Sequence, residues 1–278
     1  MPTPIQDTQT FLKPETAAIR VSGVTQSIRG RQNQTLDILA TIDLEVRPGE
    51  FVALVGPSGC GKTTLLNIIS RLILPSSGEV WIFGAPFGSH EHRIGYMFQT
   101  DALLPWRSVL RNVRAGLDLA GVPRREAEKQ ARHMLTQLGL TGFDDHYPAE
   151  LSGGMRQRVS LARTWVTNPD VILMDEPFGA LDSQTKLVIQ GSFLSFWEEH
   201  RKTVVLVTHD LEEAIAMSDR VLVMSTRPGR IKAEYRIDLP RPRSIVDLRA
   251  DPRFISFWQR IWQDLEFEAV QTMQGLQS

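Results

Sequence analysis

Residues 56–64 read Gly-Pro-Ser-Gly-Cys-Gly-Lys-Thr-Thr, a run that fits the spacing G-x-x-x-x-G-K-[ST]. This pattern constrains the fold, because it has meaning only where a strand enters a glycine-rich loop and a helix leaves it. Both flanks are present. Phe51-Val52-Ala53-Leu54-Val55 is a continuous apolar run of buried-strand type, and residues 65–72 (LLNIISRL) place apolar side chains at helical spacing. Glycines at 56, 59 and 61 let the backbone wrap an anion with no Cβ in the way. The N–H groups of the loop and the positive end of the following helix then face a polyphosphate. On this reading Gly56, Pro57, Ser58, Gly59, Cys60, Gly61, Lys62, Thr63 and Thr64 form a nucleotide-binding loop. Lys62 reaches the terminal phosphates and the Thr63 hydroxyl takes a position on Mg²⁺.

Composition narrows the setting. The 31 lysines and arginines nearly cancel the 32 aspartates and glutamates, so charge gives no case for a nucleic-acid partner. A single cysteine, Cys60, excludes a disulfide within the chain and fits a reducing compartment. Residues 1–15 lack the apolar core of a signal peptide. The apolar runs, such as Val171 to Met174, Val204 to Val207 and Val221 to Met224, are far too short to cross a bilayer. Work at a membrane therefore requires a second chain that spans it.

Taken in order, residues 1–18 read as a loose leader. Leu36, Ile38, Ala40, Ile42, Leu44 and Val46 alternate with mostly polar neighbours, the period-2 mark of a half-buried strand in an antiparallel sheet. Beyond the first helix, strands are expected over residues 79–83 and 93–98. Long helical patterns follow between Val109 and Leu140, with Ala131, Met134, Leu135 and Leu138 as a buried stripe. From residue 171 strands and helices alternate at lengths that imply a mostly parallel sheet covered on both faces. The expected division is 19–240 as one α/β domain, its core at 19–105 and 160–240 and a helical insertion at about 106–159. A tail follows at 241–278, its helix carrying Phe254, Trp258, Ile261, Trp262 and Leu265 on one apolar face.

Two further stretches carry chemistry. Val171-Ile172-Leu173-Met174-Asp175-Glu176 is an apolar strand ending in two carboxylates. The first, Asp175, suits a share of Mg²⁺. Glu176 is placed to poise water for attack on a γ-phosphate, a general-base role worth about 10²–10⁴ in rate. The second stretch, Leu151-Ser152-Gly153-Gly154-Met155-Arg156-Gln157-Arg158, opens a helix with a serine and two glycines, again an anion site by the N–H and dipole argument. One such site suffices for one nucleotide, and this chain has two.

GPSGCGKTT, LSGGMRQR and VILMDEP together resemble an ATP-binding cassette protein, the nucleotide-hydrolysing subunit of membrane transporters. The resemblance spans about residues 20–240, and LSGGMRQR is its most specific part. It implies an α/β fold: a RecA-like P-loop NTPase core with an antiparallel β subdomain and an inserted α-helical subdomain. ATP and Mg²⁺ are the implied cofactors, with Thr63, Gln99 and Asp175 near the metal. Glu176, His209 and Gln99 are the implied catalytic group. Two copies, expected to be identical, would pack head to tail so that Ser152, Gly153, Gly154 and Gln157 of one serve the nucleotide of the other, with Asp182 in the loop linking the sites. A membrane-spanning permease, and through it a periplasmic or lipid-anchored solute-binding protein, are the other implied partners, which places the chain peripherally on the cytoplasmic face of the inner membrane.

Within that family, Leu104-Pro105-Trp106-Arg107, DEPFGALD at 175–182 and Arg227-Pro228-Gly229-Arg230 resemble the group serving nitrate, sulfonate and taurine importers. The apolar stretch Leu103 to Arg107 is expected to lie at the permease contact, with Trp106 in it. The alternative is a cassette ATPase with no transporter, acting in DNA repair or translation. Those usually carry a coiled-coil insertion or a second cassette in the chain, and neither is present here. Two departures from the family pattern stand out. Val21 to Ile28 lacks the aromatic residue that stacks on adenine, leaving Ile28 as a poor substitute and Phe11 as another source, so weak discrimination between ATP and GTP is expected. Ser70-Arg71-Leu72 stands where Ala-Gly-Leu is common, so the first helix lacks its usual closing glycine.

Overall fold

The computed structural model describes residues 17–29, 34–86, 92–226 and 228–275. In chain order these form β1 (Ile19–Arg29), β2 (Thr35–Val46), β3 (Phe51–Val55), α1 (Lys62–Ile69), β4 (Ser77–Ile82), β5 (Ala85–Pro86) and β6 (Ile94–Met97). Then come α2 (Val109–Val113), α3 (Ala115–Leu119), α4 (Arg124–Gln137), α5 (Gly153–Trp165), β7 (Val171–Asp175), α6 (Ser183–His200) and β8 (Thr203–Val207). The chain continues through α7 (Leu211–Met217), β9 (Arg220–Met224), β10 (Ile231–Arg236), α8 (Ile245–Leu248) and α9 (Pro252–Gly275).

Among the described residues there are two sheets. One has the order β10-β9-β3-β8-β7-β6 and is parallel except at β10; the other, β2-β1-β4-β5, is antiparallel. The five apolar residues of β3 show why the parallel sheet is central. Phe51, Ala53 and Val55 enter a core shared with the helical elements, while Val52 and Leu54 enter the core shared with α1 and the antiparallel sheet. A strand covered on both faces has no polar side to spare, which is why it reads as an unbroken apolar run. Burying each such side chain contributes about 1.5–3 kcal/mol, so a charge at Leu54 would break both the strand and the loop it delivers.

Three expectations shift in the structure. Alternation holds in β2 from Ile42 onward, but upstream the buried residue is Leu39 while Leu36 is exposed. The pairing of β1 with β2 slips register at three places between Val21 and Ser27, and a one-residue slip turns the following side chains to the other face. The leader is shorter than expected at its inner end: Ala17 and Ala18 are buried, and Ala18 N–H donates to the Val46 carbonyl at 2.8 Å. Residue 159, expected to end the helical insertion, lies inside the continuous helix α5.

The end of α1 accounts for the missing glycine. Arg71 takes the left-handed conformation itself, with φ 67°. Its N–H donates to Ile68 O at 3.1 Å and the Leu72 N–H to Asn67 O at 2.9 Å, closing the helix as a glycine would. In the tail, α9 packs on α7 and the β9–β10 hairpin and buries Phe254 and Ile261. Trp262 departs from the expected apolar face: it is 45% exposed and stacks on Trp258 at 5.4 Å.

Candidate active site

The loop between β3 and α1 uses its glycines in different ways. Gly59 and Gly61 hold φ +77° and +100°, a region that L side chains rarely adopt. Gly56 is required by space: a Cβ there would stand 2.8 Å from the Met224 carbonyl and 2.9 Å from Cys60 Sγ. Helix α1 begins on Gly61 with no side-chain cap, so its first N–H groups have no internal acceptor. Lys62 is 7% exposed, and its Nζ donates back to the carbonyls of Gly56 at 2.8 Å and Pro57 at 3.0 Å. The ammonium is thus held inside the loop, over the space that the N–H groups surround. Cys60 is buried beneath it, and burial pushes its thiol up.

The parallel register brings the catalytic candidates to one edge. Asp175 pairs with Val207 and Met97 with Met174, so β6, β7 and β8 end side by side. Thr63 Oγ1 donates to Asp175 Oδ1 at 3.1 Å across the loop. Burial pushes the Asp175 carboxyl above its ordinary value; Glu176 adds to the push, and Thr63 and Lys62 oppose it. Glu176 sits at φ +46°, a left-handed backbone for a residue with a side chain. Such strain costs about 1–3 kcal/mol and persists where the surroundings enforce it. Here its N–H donates to Val207 O at 2.9 Å. Its Oε2 takes Gln99 Nε2 at 3.2 Å and lies 3.2 Å from His209 Nδ1, so three residues spread over 110 positions of chain converge on one oxygen.

The signature stretch lies apart from this cluster. Ser152 caps α5, its Oγ accepting from Met155 N at 3.3 Å, and both Ser152 and Gly153 are exposed. Gly154 is buried against α6, where a Cβ would come within 2.5 Å of Thr185 Cγ2. Gln157 is 5% exposed and donates to the Pro177 carbonyl, tying α5 to the loop after Glu176. Asp182 caps α6, accepting from Thr185 N at 3.0 Å, and that bond holds its carboxyl low. Among the described residues no hydrogen bond joins Ser152, Gly153 or Asp182 to the loop of 56–64 or to Gln99, Glu176 or His209.

The arrangement is matched by known proteins. A family model described as ABC transporter matches residues 39–179. An uncharacterized ABC transporter ATP-binding protein of Methanocaldococcus jannaschii is 43% identical over 255 residues, covering 92% of this chain and 94% of the relative. The chain belongs to the ABC transporter family. It is an ATP-binding subunit of that family. A taurine import ATP-binding protein, TauB, of Pseudomonas savastanoi pv. phaseolicola is 45% identical over 222 residues, 78% of this chain and 85% of the relative. Among solved structures, a dimer of the ATP-binding cassette MJ0796 in a post-hydrolysis state, bound to ADP and Pi, superposes with TM-score 0.69 at 34% identity, over 80% of this chain and 100% of that one. ABC cassettes are P-loop ATPases, and the sheet order and loop described above are those of such an enzyme.

For an ABC ATPase, the metal question turns on donor chemistry. Thr63 offers a hydroxyl, Asp175 a carboxylate and Gln99 an amide oxygen, all hard donors that suit Mg²⁺. Among the described residues no group of three or more His, Cys, Asp or Glu could hold a metal alone. A sparse oxygen set of this kind fits an ion that shares its coordination with substrate phosphates.

Several residues of this ABC subunit escaped the reading of motifs. Asn112 is fully buried in α2; it accepts from Leu104 N at 2.8 Å and donates to Leu104 O at 3.1 Å, Arg107 O at 2.9 Å and Ser108 O at 3.2 Å. It thereby fixes the loop that presents Trp106, which is 70% exposed beside a groove of about 340 Å³ lined with Arg107, Arg111, Arg114 and Asp118. The signal was a lone amide between Val109-Leu110 and Val113. Arg156 Nε meets Asp101 Oδ2 at 3.0 Å, and Arg163 donates to the carbonyls of Asp101 and Ala102, joining α5 to the segment after Gln99. Of the two candidates for an adenine platform, Ile28 is 47% exposed on β1, and Phe11 lies outside the described residues.

Proposed function

We propose that two copies of this chain act as a head-to-tail pair on the cytoplasmic face of a membrane, hydrolysing ATP to drive a separate permease that imports a small anionic or zwitterionic solute of the nitrate, sulfonate or taurine kind. The observation that carries the enzymatic part is the convergence of Gln99, Glu176 and His209 beside the phosphate-binding loop. Identity to taurine import subunits and the segments at 104–107, 175–182 and 227–230 support the solute class.

In this reading the triphosphate enters the loop of 56–64, and Lys62 exchanges the carbonyls of Gly56 and Pro57 for phosphate oxygens. Thr63, Asp175 and Gln99 hold Mg²⁺, which when bound supplies charge neutralisation at the phosphates. Glu176 orients the attacking water and takes its proton; Gln99 and His209 fix the carboxylate, and His209 also contacts the γ-phosphate. Ser152 and Gly154 of the partner copy contact that phosphate, with Gly153 between them, and Gln157 holds their helix to the Pro177 carbonyl of its own chain. Asp182 links the two sites. The permease engages the Trp106 groove. A solute-binding protein delivers cargo outside. With no aromatic residue on Val21 to Ile28, selection of ATP over GTP is weak.

The test is recovery of the tagged chain from mild-detergent extracts of its own host. A co-purifying multi-span permease, lost on Trp106→Ala, supports the reading, and a chain found only in the soluble fraction sinks it. In parallel, Glu176→Gln should retain ATP binding and lower kcat about 10²–10⁴-fold, or roughly 3–5 kcal/mol of barrier. Parent-like turnover in that variant would remove Glu176 from its role.

A further inference from the structure

Lys186 has no part in any of these motifs. It lies on α6 one turn after Asp182, and its side chain is 17% exposed. Its Nζ meets Asp210 Oδ2 at 2.7 Å and Glu213 Oε2 at 3.1 Å, both on the element that begins immediately after His209. Asp210 uses its other oxygen to cap α7, accepting from Glu213 N at 3.2 Å, and its own N–H donates to Thr208 Oγ1 at 3.0 Å. One ammonium therefore grips two first-turn carboxylates of α7, one of which also fixes where that helix starts.

The setting makes this grip consequential. Helix α6 packs mainly on α5 and α8, and α7 mainly on α9 and β3, so the ion pair is a direct tie between their N-terminal turns. Those turns carry Asp182, on the exposed loop expected to meet a second copy, and His209, 3.2 Å from Glu176. Glu213 is 3% exposed; burial pushes its carboxyl up to about 7, with Lys186 opposing. A buried acid held against a cation keeps a fixed geometry, because leaving either partner alone in the interior is costly.

We propose that Lys186 is a positioning residue: an ionic strut that sets His209 according to the position of the Asp182 loop, so that docking of a second copy and alignment of the catalytic edge occur together. The inference rests on the paired-cassette reading above. In it, Asp182 moves with the first turn of α6, Lys186 transmits that movement to Asp210 and Glu213, and the start of α7 carries His209 with it.

The experiment compares Lys186→Met, which removes the charge and keeps the aliphatic stem, with Lys186→Arg. Nucleotide affinity of the monomer and ATP-driven dimerisation are measured in the Glu176→Gln background, and kcat and the Hill coefficient in the hydrolysing chain. Lys186→Met is expected to bind ATP within about twofold of its parent, to need about tenfold more ATP to dimerise, and to lose cooperativity. Lys186→Arg should restore both. Asp210→Asn, which keeps the helix cap, should shift dimerisation the same way by a smaller factor and serves if Lys186→Met does not fold. Parent-like dimerisation and cooperativity, or equal losses in monomer binding and dimerisation, would overturn the strut. A parent chain that binds ATP yet neither dimerises nor hydrolyses would instead refute the functional reading on which the strut rests.

Discussion

The two glycine-rich helix starts of this chain look alike in sequence and are built differently. At α1 the glycines serve the backbone: Gly59 and Gly61 take left-handed angles, the helix has no side-chain cap, and the Lys62 ammonium is folded into the loop. At α5 the start is already capped by Ser152, and Gly154 is small because Thr185 of α6 leaves no room for a Cβ. The first site contains its own charge, Lys62, held against the carbonyls of its own loop. The second presents an exposed Ser152 and Gly153 at the start of a helix packed on α6, with no lysine folded into it. That asymmetry is the physical basis for expecting the two to meet in trans.

The largest effect should come from the first site. Lys62→Ala removes two charge-assisted bonds to phosphate at about 1.5–3 kcal/mol for each such bond, so monomer affinity for ATP should fall about 10²–10⁴-fold in a direct titration. Retained affinity would mean that the loop binds by backbone alone, and the contrast with α5 would vanish. Next is Gly154→Ala, whose Cβ would sit 2.5 Å from Thr185 Cγ2. Overpacking of this kind costs about 1–3 kcal/mol, read as a lower midpoint of thermal unfolding. An unchanged midpoint would show that α5 can slide on α6 and that the glycine is there for a ligand.

Ser152→Ala should cost about 1 kcal/mol of stability through the lost cap, leave monomer ATP binding within about twofold, and slow hydrolysis by the pair. Loss of monomer binding would place Ser152 in the same site as Lys62 and break the comparison. The smallest effect sits at the far end of α1. Arg71→Gly relieves a left-handed side chain at φ 67° and should stabilise the chain by about 0.5–1 kcal/mol, unless the bond from Arg71 Nη2 to Pro86 O at 3.3 Å carries more than that.

How much of this was legible in advance varied with the range of the interactions. The strand, loop and helix around 51–69 are local and were readable from the periodicity of a few residues. The β2 pattern failed at Leu39 because register slips against β1 turn side chains over, and a slip belongs to a pair of strands. Spacing puts Trp262 on the apolar face of α9, yet the face actually covered is set by where α7 and the β9–β10 hairpin lie. The missing glycine at 71 was visible as an oddity, and only backbone angles showed that an arginine closes the helix in its place. Asn112 and Lys186 were overlooked for a related reason: each is a single polar side chain whose meaning comes from partners brought near by folding.

The sequence by itself determined that a phosphate-binding loop lies between a buried strand and a helix, that two carboxylates end a second strand, and that a second helix starts on a serine and two glycines. These are properties of short segments, enforced by covalent spacing, glycine conformational freedom and apolar periodicity. The tertiary structure alone decided that Gln99 and His209 share one oxygen of Glu176, that Lys62 rests on its own loop, and that Lys186 ties the start of α6 to that of α7. The first of these depends on which strand ends lie side by side, and strand order is fixed by the burial of both sheet faces at once, a condition that no segment can satisfy alone.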